Sequence, residues 1–298
     1  QNDLLYEGES IYNYLQVYDN DEEVVLSTNV LFGVQSVYKK QSGLTGMYYD
    51  YAMAAPYMSG VKEKPEMDIL VLGNGTGTYA TQCNRYFDNV KIDGVEIDQK
   101  ITDLAKEYFE LPDDVKVTTY DGRAYLNAID DKYDVIMVDA YQDITIPFQM
   151  SSIEFFELVK EHLKEDGVMV VNMSMRGTEE GNINQYLADT ISEVFGEVYT
   201  VDVSSSTNRE LFASNNADML KVYEANLAQE DNKQMQNMMQ KVSSDLMAYE
   251  AGDYIMTDDR APVELLGMKV IDELIKDEVG YYKQIYKEGG VKALLKML

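Results

Sequence analysis

Cysteine and histidine are almost absent from this sequence. Its 298 residues include one cysteine, Cys83, and one histidine, His162. A single cysteine excludes a disulfide within the chain, and the usual zinc sites need several Cys or His ligands, so we predict no metal site. His162 falls in a helical pattern, which argues against a His-based nucleophile triad.

Basic residues are also scarce: 25 Lys and Arg stand against 53 Asp and Glu, a formal net charge of −28. Binding to nucleic acid or to anionic lipid needs clustered basic residues, so this balance argues against both kinds of partner. An acidic surface attracts cations, polyamines included, although solubility is the simpler explanation of the charge.

Long apolar runs are missing as well. None reaches the roughly 18 residues that a membrane-spanning helix requires, and no signal peptide is visible. We therefore expect no membrane contact from this stretch and a cytoplasmic location. Because the chain begins at Gln1 and not at Met, it is also compatible with the soluble part of a longer, membrane-linked protein.

Apolar strands alternate with helical segments from residue 66 onward. This alternation predicts right-handed crossovers and a mostly parallel sheet. The last two strands, EVYTVDV and RELFAS, are joined only by SSSTN, so we expect an antiparallel pair at one edge. We predict an N-terminal β-strand domain with a linking helix over 1–60 and a Rossmann-like domain with C-terminal helices over 61–298.

Three later segments have helical patterns. Residues 151–167 are expected to form a helix with a serine cap and a stop at Gly167. A stripe of apolar residues over 235–246 is expected to pack in the core or against a partner. The amphipathic segment 291–298 is expected to dock on the core.

The stretch ILVLGNGTGTYA, residues 69–80, is an apolar strand that stops at a glycine-rich turn and continues as a helix. Glycine lets a ligand approach the backbone, and free N–H groups at a helix start face that ligand. Gly73, Gly75 and Gly77 in this context predict a nucleotide- or nucleoside-binding turn. Their spacing is GxGxG, whereas dehydrogenases usually show GxGxxG.

Acidic residues end the next three strands of the pattern. Glu96 in GVEID follows Gly77 by 19 residues, and a carboxylate there can accept both hydroxyls of a ribose. Asp121 and Gly122 end the third strand, and Asp139 ends the fourth. Ligands bind at this edge of open α/β sheets. A nucleoside site is therefore predicted, with NAD still a competitor at this point.

These features together resemble the spermidine synthase-like aminopropyltransferases, in a divergent bacterial branch, over about residues 10–266. The resemblance implies a class I S-adenosylmethionine-dependent transferase fold with a small N-terminal β-domain, and a homodimer. LSTNVLFGVQS resembles the family segment in which Gln35 would contact the amino-acid end of the ligand. DGRAYL resembles the adenine-contacting segment, with Asp121 and Gly122.

The resemblance also implies a chemistry. An amine attacks a carbon attached to the sulfonium of decarboxylated S-adenosylmethionine, and Asp139 is the expected base. Tyr48, Asp50, Tyr141 and Asp143 are expected to hold a small cationic amine substrate such as putrescine.

Some positions depart from the family pattern. Thr76 stands where the family has an aspartate that grips the aminopropyl ammonium. Tyr48-Tyr49-Asp50 replaces Tyr-His-Glu, and the second acid of the substrate loop, Asp143, comes one position late. Three hypotheses therefore stay open. They are aminopropyl transfer from the decarboxylated donor, methyl transfer from S-adenosylmethionine itself, and a non-catalytic nucleoside-binding module.

Overall fold

A computed structural model describes residues 3–29, 34–141, 147–173, 180–263, 266, 280, 281, 283–285 and 287. Its strands are β1 Asp3–Glu9, β2 Tyr14–Asp19, β3 Glu23–Thr28, β4 Val34–Lys39, β5 Met67–Leu72, β6 Val90–Glu96, β7 Lys116–Thr119, β8 Tyr133–Val138, β9 Leu163–Met173, β10 Glu197–Asp202, β11 Arg209–Ser214 and β12 Met247–Ala248. Its helices are α1 Tyr48–Ala52, α2 Ala54–Met58, α3 Thr78–Tyr86, α4 Gln99–Tyr108, α5 Gly122–Ala128, α6 Ile153–Glu161, α7 Ile183–Val194, α8 Met219–Leu227 and α9 Lys233–Asp245, with a 3-10 turn at Phe148–Met150.

The strands form two sheets. The first four make an antiparallel sheet in the order β1-β2-β3-β4, and the others make a sheet in the order β12-β10-β11-β9-β8-β5-β6-β7. From β9 to β7 the neighbours are parallel. β11 is antiparallel to both β9 and β10, as the short link between the last two strands predicts. The short strand β12 extends that edge.

Side chains alternate between the two faces of the large sheet, as the pleat requires. In β8, Val135 and Met137 pack with α1, α2, α3, α8 and α9, whereas Ile136 and Val138 pack with α5, α6 and α7. The small sheet packs its own apolar residues on α4. Helices α1 and α2 therefore belong to the core of the large sheet, and a domain boundary at residue 60 stays a prediction.

The helix predicted over 151–167 begins as expected, but it is shorter than predicted. Ser152 caps it by accepting a hydrogen bond from Phe155 N. The stop at Gly167 is wrong, because α6 ends at Glu161 and β9 begins at Leu163. Leu163 pairs with Tyr133 and Val168 pairs with Val135, so the residues between them bulge out of the ladder. The local helical pattern continues through this bulge, and tertiary pairing overrides it.

The predicted core stripe is confirmed in α9, where Met235, Met239 and Val242 are buried. Cys83 on α3 is also fully buried. The segment 291–298 lies outside the described residues. Within the described ranges, no helix has the length and apolar character needed to cross a bilayer.

A charged network closes the amino-terminal end of the large sheet, opposite the strand ends named above. Asp134 of β8 is 1% exposed. Its carboxylate accepts hydrogen bonds from Lys64 Nζ at 2.6 Å, Lys164 Nζ at 2.8 Å and the N–H of Asp68 at 2.8 Å. Burial alone would raise the pKa of Asp134, but the hydrogen bonds from Lys164 and Lys64 lower it.

Asp134→Ala is expected to lower the free energy of unfolding by about 1.5–3 kcal/mol, because it removes a buried charged acceptor of three hydrogen bonds. Lys64 and Lys164 keep Asp166 and Asp68 as partners. Since the folded pKa of Asp134 lies below its unfolded value, its contribution is present above about pH 4 and is lost as pH falls below that. Urea unfolding at pH 7 and pH 3 checks both points. Asp218→Ala, which removes an exposed pair with Lys221, is the control and should change stability by less than about 1 kcal/mol. Equal losses in the two variants would contradict the network's role.

Candidate active site

The glycine-rich turn wraps around the carboxyl ends of β5, β6 and β8. Gly73 has a φ of +81°, and a Cβ built on it would lie 2.5 Å from the carbonyl oxygen of Asp139. Gly75 and Gly77 also have positive φ, at +55° and +82°. All three glycines are therefore required by backbone conformation, and Gly73 is also required by the close approach of the chain after β8.

Glu96, at the end of β6, is tied to this turn. Its Oε2 accepts the N–H of Gly75 at 2.8 Å and its Oε1 accepts the N–H of Asp98 at 3.0 Å. The side chain is buried, and burial raises the pKa of Glu96 while the hydrogen bonds from Asp98 and Gly75 lower it. A carboxylate oxygen accepts more than one hydrogen bond, so Glu96 keeps capacity for two hydroxyl groups.

Asp98 connects this region to the small sheet. It caps α4 by accepting from Lys100 N, and its Oδ2 accepts hydrogen bonds from Ser10 Oγ at 2.5 Å and Asn13 Nδ2 at 3.0 Å. Asp98, two residues after Glu96, thus holds the loop between β1 and β2 in place.

Asp139 directly follows β8 and is held from both sides. Tyr48 of α1 donates its hydroxyl to Oδ2 at 2.7 Å, and Asn172 of β9 donates Nδ2 to Oδ1 at 2.8 Å. Asn208 in turn donates to Oδ1 of Asn172 at 2.9 Å. Burial raises the pKa of Asp139 to about 6, and the hydrogen bonds from Asn172 and Tyr48 partly offset this rise. Asp139 is thus oriented and has the pKa of a base near neutral pH.

Two tyrosines cover this carboxylate. The rings of Tyr48 and Tyr49 lie 4.0 Å apart between centroids. Burial, followed by the charge of Asp139, raises the pKa of both hydroxyls well above the usual value. Tyr48 therefore stays a neutral hydrogen-bond donor to Asp139.

Two other predicted donor-site residues are Thr76, within the turn, and Gln35, on β4. Thr76 is 1% exposed, with its hydroxyl 3.5 Å from that of Thr78. Gln35 lies on β4, beside Ser36, whose hydroxyl would be 3.1 Å from a Cβ on Gly75.

Asp121 and Gly122 lie past the end of β7, which stops at Thr119, and not on the strand itself. Asp121 caps α5 by accepting from Ala124 N at 2.8 Å, and it also accepts from Gln149 Nε2 at 3.3 Å. Both residues therefore lie where a helix begins beside the carboxyl end of the sheet.

Two of the predicted substrate residues have internal partners. Asp50 accepts hydrogen bonds from the backbone N–H groups of Thr45 and Gly46 and from the Thr45 hydroxyl. Tyr141 donates to the carbonyl oxygen of Met150 at 2.6 Å. Asp50 fixes the loop before α1 and Tyr141 fixes the turn at Met150, and substrate binding by either stays a prediction. Asp143 lies outside the described residues.

The sequence patterns did not indicate Asn172 and Asn208. Asn172 is the penultimate residue of β9, in the otherwise apolar run VMVVNM, and an amide in that position is a signal of a buried polar contact. Asn208 lies in the SSSTN link, where nothing in the pattern distinguishes it.

A cavity of about 520 Å³ opens near the same end of the sheet, lined by Met173, Ala188, Thr200, Arg209 and others. Met173 and Ala188 pack on the α7 face, whereas Asp139 follows Met137 in alternation on the opposite face. The cavity is therefore separate from the Asp139 site. Across the described residues, no three Asp, Glu, Cys or His side chains gather to hold a metal ion.

The parallel sheet, its glycine-rich first turn and the antiparallel end strands define the class, a Rossmann-like transferase fold of S-adenosylmethionine-dependent class I. Residues 49–211 match the family model of the spermine/spermidine synthase domain. The chain belongs to the spermine/spermidine synthase family. The resemblance and fold class predicted from the sequence are thereby confirmed.

One similar sequence supports the family, and two solved structures support the fold. A probable polyamine aminopropyl transferase of Bifidobacterium longum is 52% identical over 99% of this chain and 69% of its own length. A crystal structure of spermidine synthase with the transition-state analogue AdoDATO is similar in fold, with a TM-score of 0.63 and 20% identity over 80% of this chain and 83% of that one. Human methyltransferase-like protein 13 in complex with SAH has a TM-score of 0.54 and 21% identity, over 69% of this chain and 95% of that one.

Proposed function

We propose that the chain is an aminopropyltransferase, which moves an aminopropyl group from decarboxylated S-adenosylmethionine to an amine such as putrescine. The observation that carries this is Asp139, a carboxyl with a pKa near 6 held between Tyr48 and Asn172 beside the glycine-rich turn. The 52% identical relative is a probable polyamine aminopropyl transferase, which supports the same reaction.

The reaction needs a base and correct positioning. The nitrogen of the amine forms a bond to the carbon that leaves sulfur, and the C–S electron pair stays on sulfur. The sulfonium becomes the neutral thioether methylthioadenosine, and the proton lost by the amine goes to the Asp139 carboxylate. Holding the two reactants in line supplies most of the remaining acceleration.

We assign the donor to the turn of Gly73, Gly75 and Gly77, with its ribose on Glu96 and its adenine near Asp121 and Gly122. Support comes from the positive φ of the glycines and the buried carboxylate between them and β6. Gln35 and Thr76 would face the group beyond sulfur. Tyr48, Asp50, Tyr141 and Asp143 are assigned to the amine.

Methyl transfer from S-adenosylmethionine is the second candidate. Thr76 favours it, because a neutral side chain there does not repel the carboxylate of the intact donor. A non-catalytic nucleoside-binding module is the third. The homodimer and the cytoplasmic location expected from the sequence stay predictions.

A product assay separates these candidates. Purified protein is incubated with putrescine and either the decarboxylated or the intact donor, and nucleoside products are separated by chromatography. Methylthioadenosine formed only with the decarboxylated donor supports aminopropyl transfer. S-adenosylhomocysteine from the intact donor with an added acceptor supports the methyltransferase. No product from either donor, with a range of diamines, would overturn both enzyme hypotheses.

The pKa of Asp139 predicts a pH dependence. Below pH about 6 its carboxyl is protonated, so it neither accepts a proton nor attracts an ammonium group. We expect kcat/KM to fall about tenfold per pH unit on that side, since kcat/KM reports ionisations of the free enzyme. Steady-state rates between pH 5 and pH 8 check this.

The Asn172→Ala variant distinguishes the ionisation of Asp139 from that of the amine substrate in the pH profile. The bond from Asn172 lowers the pKa of Asp139, so its loss should move the acid limb of the profile to higher pH. The substrate titrates identically with both proteins. Coincident acid limbs would contradict the assignment of Asp139.

A further inference from the structure

Glu210 is a carboxyl group to which the described structure gives no hydrogen-bond partner. It lies on β11, its side chain is 0% exposed, and both Oε1 and Oε2 are unpartnered among the described residues. Buried polar groups in native proteins are almost always hydrogen-bonded, so an orphan carboxyl points to a role beyond folding.

Strand register places Glu210 in one row with Asp139 and Asn172. Glu210 pairs directly with Asn172 across β11 and β9. Val138 pairs with Val171, so the following residues, Asp139 and Asn172, come side by side, as their 2.8 Å hydrogen bond shows. The two acids thus lie on either side of one asparagine at the carboxyl end of β8 and β9.

The same face of the sheet carries all three side chains. Phe212, two residues after Glu210, packs with Val170, two residues before Asn172, and with Met137, two residues before Asp139. Because side chains alternate along a strand, Glu210 points to the side on which Tyr48 contacts Asp139. With strands about 4.8 Å apart, the backbones of Glu210 and Asp139 are separated by about 10 Å.

The electrostatics of this row favour a cation. Burial and then the charge of Asp139 raise the pKa of Glu210 well above its usual value. The residues of the turn from Gly73 to Thr78 carry no charge of their own. A positively charged ligand near Asp139 would therefore find in Glu210 a second carboxyl with free acceptor capacity.

We propose that Glu210 binds a primary alkylammonium group of one of the reactants. This inference rests on the proposed aminopropyl transfer. An ammonium group offers three N–H donors, which satisfies the orphan oxygens, and its charge stabilises the ionised carboxylate. Two reactants carry such a group, the aminopropyl arm of the decarboxylated donor and the amine acceptor.

Binding measurements on Glu210→Gln decide which reactant is held. Calorimetry measures the affinity of the decarboxylated donor and of putrescine separately, with wild type and with the variant. We expect a loss of about tenfold or more for one of them, because a charged hydrogen bond is removed. A loss confined to the donor assigns Glu210 to the aminopropyl arm, and a loss confined to putrescine assigns it to the acceptor. In steady-state kinetics the KM of that reactant should rise more than kcat falls.

Controls separate binding from folding. Glu197→Gln on β10 removes a carboxyl that contacts Tyr199 at the far end of the strand pair, and it should leave both affinities unchanged. Glu210→Asp keeps the charge and should bind better than Glu210→Gln. Thermal unfolding of Glu210→Gln should occur at or above the wild-type temperature, since an unpartnered buried acid is removed. If it fails to fold, Glu210→Met supplies an apolar side chain of similar length for the same test.

The outcomes are distinct. Wild-type affinities for both reactants in a folded Glu210→Gln overturn the inference, even if the wild type makes methylthioadenosine. A wild type that makes no methylthioadenosine overturns the proposed function, and the calorimetry still decides whether Glu210 binds an alkylammonium group.

Discussion

Replacing Asp139 by asparagine is expected to lower kcat/KM for aminopropyl transfer about 100- to 10,000-fold, the range for loss of a positioned general base. Asparagine has nearly the same shape but cannot accept a proton at neutral pH. The effect is expected to be mainly on kcat, because the amine still meets Tyr48 but must lose its proton to water. Methylthioadenosine formation over time, with saturating donor, is the measurement.

The same substitution at an exposed site is the control. Asp218 lies before α8 and pairs at the surface with Lys221, so Asp218→Asn should leave kcat/KM unchanged. Thermal unfolding of Asp139→Asn shows that the protein is folded. A variant that is folded and retains more than about a tenth of wild-type kcat/KM would remove Asp139 from the role of base.

Gly73→Ala has the second large expected effect, this time on stability and activity together. A residue with a Cβ loses about 1–2 kcal/mol in the left-handed region, and a steric clash in a packed region costs about 1–3 kcal/mol more. Here the Cβ would lie 2.5 Å from Asp139 O and 2.8 Å from Asp139 C, which is backbone and cannot rotate away. We expect the free energy of unfolding to fall by about 2–5 kcal/mol.

Gly46→Ala is the control that separates the steric clash at Gly73 from the conformational cost of a positive φ. Gly46 has a similar φ of +73°, but nothing lies within 4 Å of a Cβ built there. It should lose only the conformational part, about 1–2 kcal/mol. Gly73→Ala should also lose activity at temperatures where it is folded, because the alanine displaces the backbone that carries Asp139. Equal unfolding energies and equal activities for the two variants would contradict the close approach described above.

The strand ends of this protein could be predicted from sequence because two strong rules act together. Continuous apolar segments of four to eight residues mark buried parallel strands, and their carboxyl ends lie at one edge of the sheet. Gly73 and Asp139 were found in this way, and Glu96 was found from GVEID and its distance after Gly77. In the structure the backbone of Asp139 lies against Gly73, and Glu96 accepts a hydrogen bond from the N–H of Gly75. Their chemical roles rest on the family and stay to be tested.

The partners of Asp139 could not be predicted, because they depend on register and packing between distant segments. Asn172 is paired with Asp139 only because β9 follows its bulge in one particular register with β8. A shift by one residue would turn Asn172 to the other face. Tyr48 was selected from the family resemblance, and its hydrogen bond to Asp139 depends on how α1 packs on the sheet.

Glu210 is an acidic residue within a strand, and the strand pattern alone does not explain its presence there. RELFAS is correctly predicted as a strand, yet a central strand with an acid next to Leu and Phe is unusual, because charged residues are rarely buried without a partner. The sequence analysis predicted this strand in a pair at the sheet edge, where an acid can face solvent, so the pattern did not select Glu210. Why it is tolerated depends on neighbours that only the fold brings together.

The burial of Cys83 makes its thiol a probe of the opening of α3, the helix that begins at the glycine-rich turn. Burial raises the pKa of this thiol to about 12, and a thiol reacts as the exposed thiolate, so a chromogenic disulfide reagent should modify it only when α3 detaches. Since α3 begins at the glycine-rich turn, a donor bound there as proposed would stabilise the closed form. The modification rate should therefore fall as donor is added, by the factor 1 + [L]/Kd when opening is a fast equilibrium. With one thiol in the chain, every labelling event reports on the exposure of Cys83.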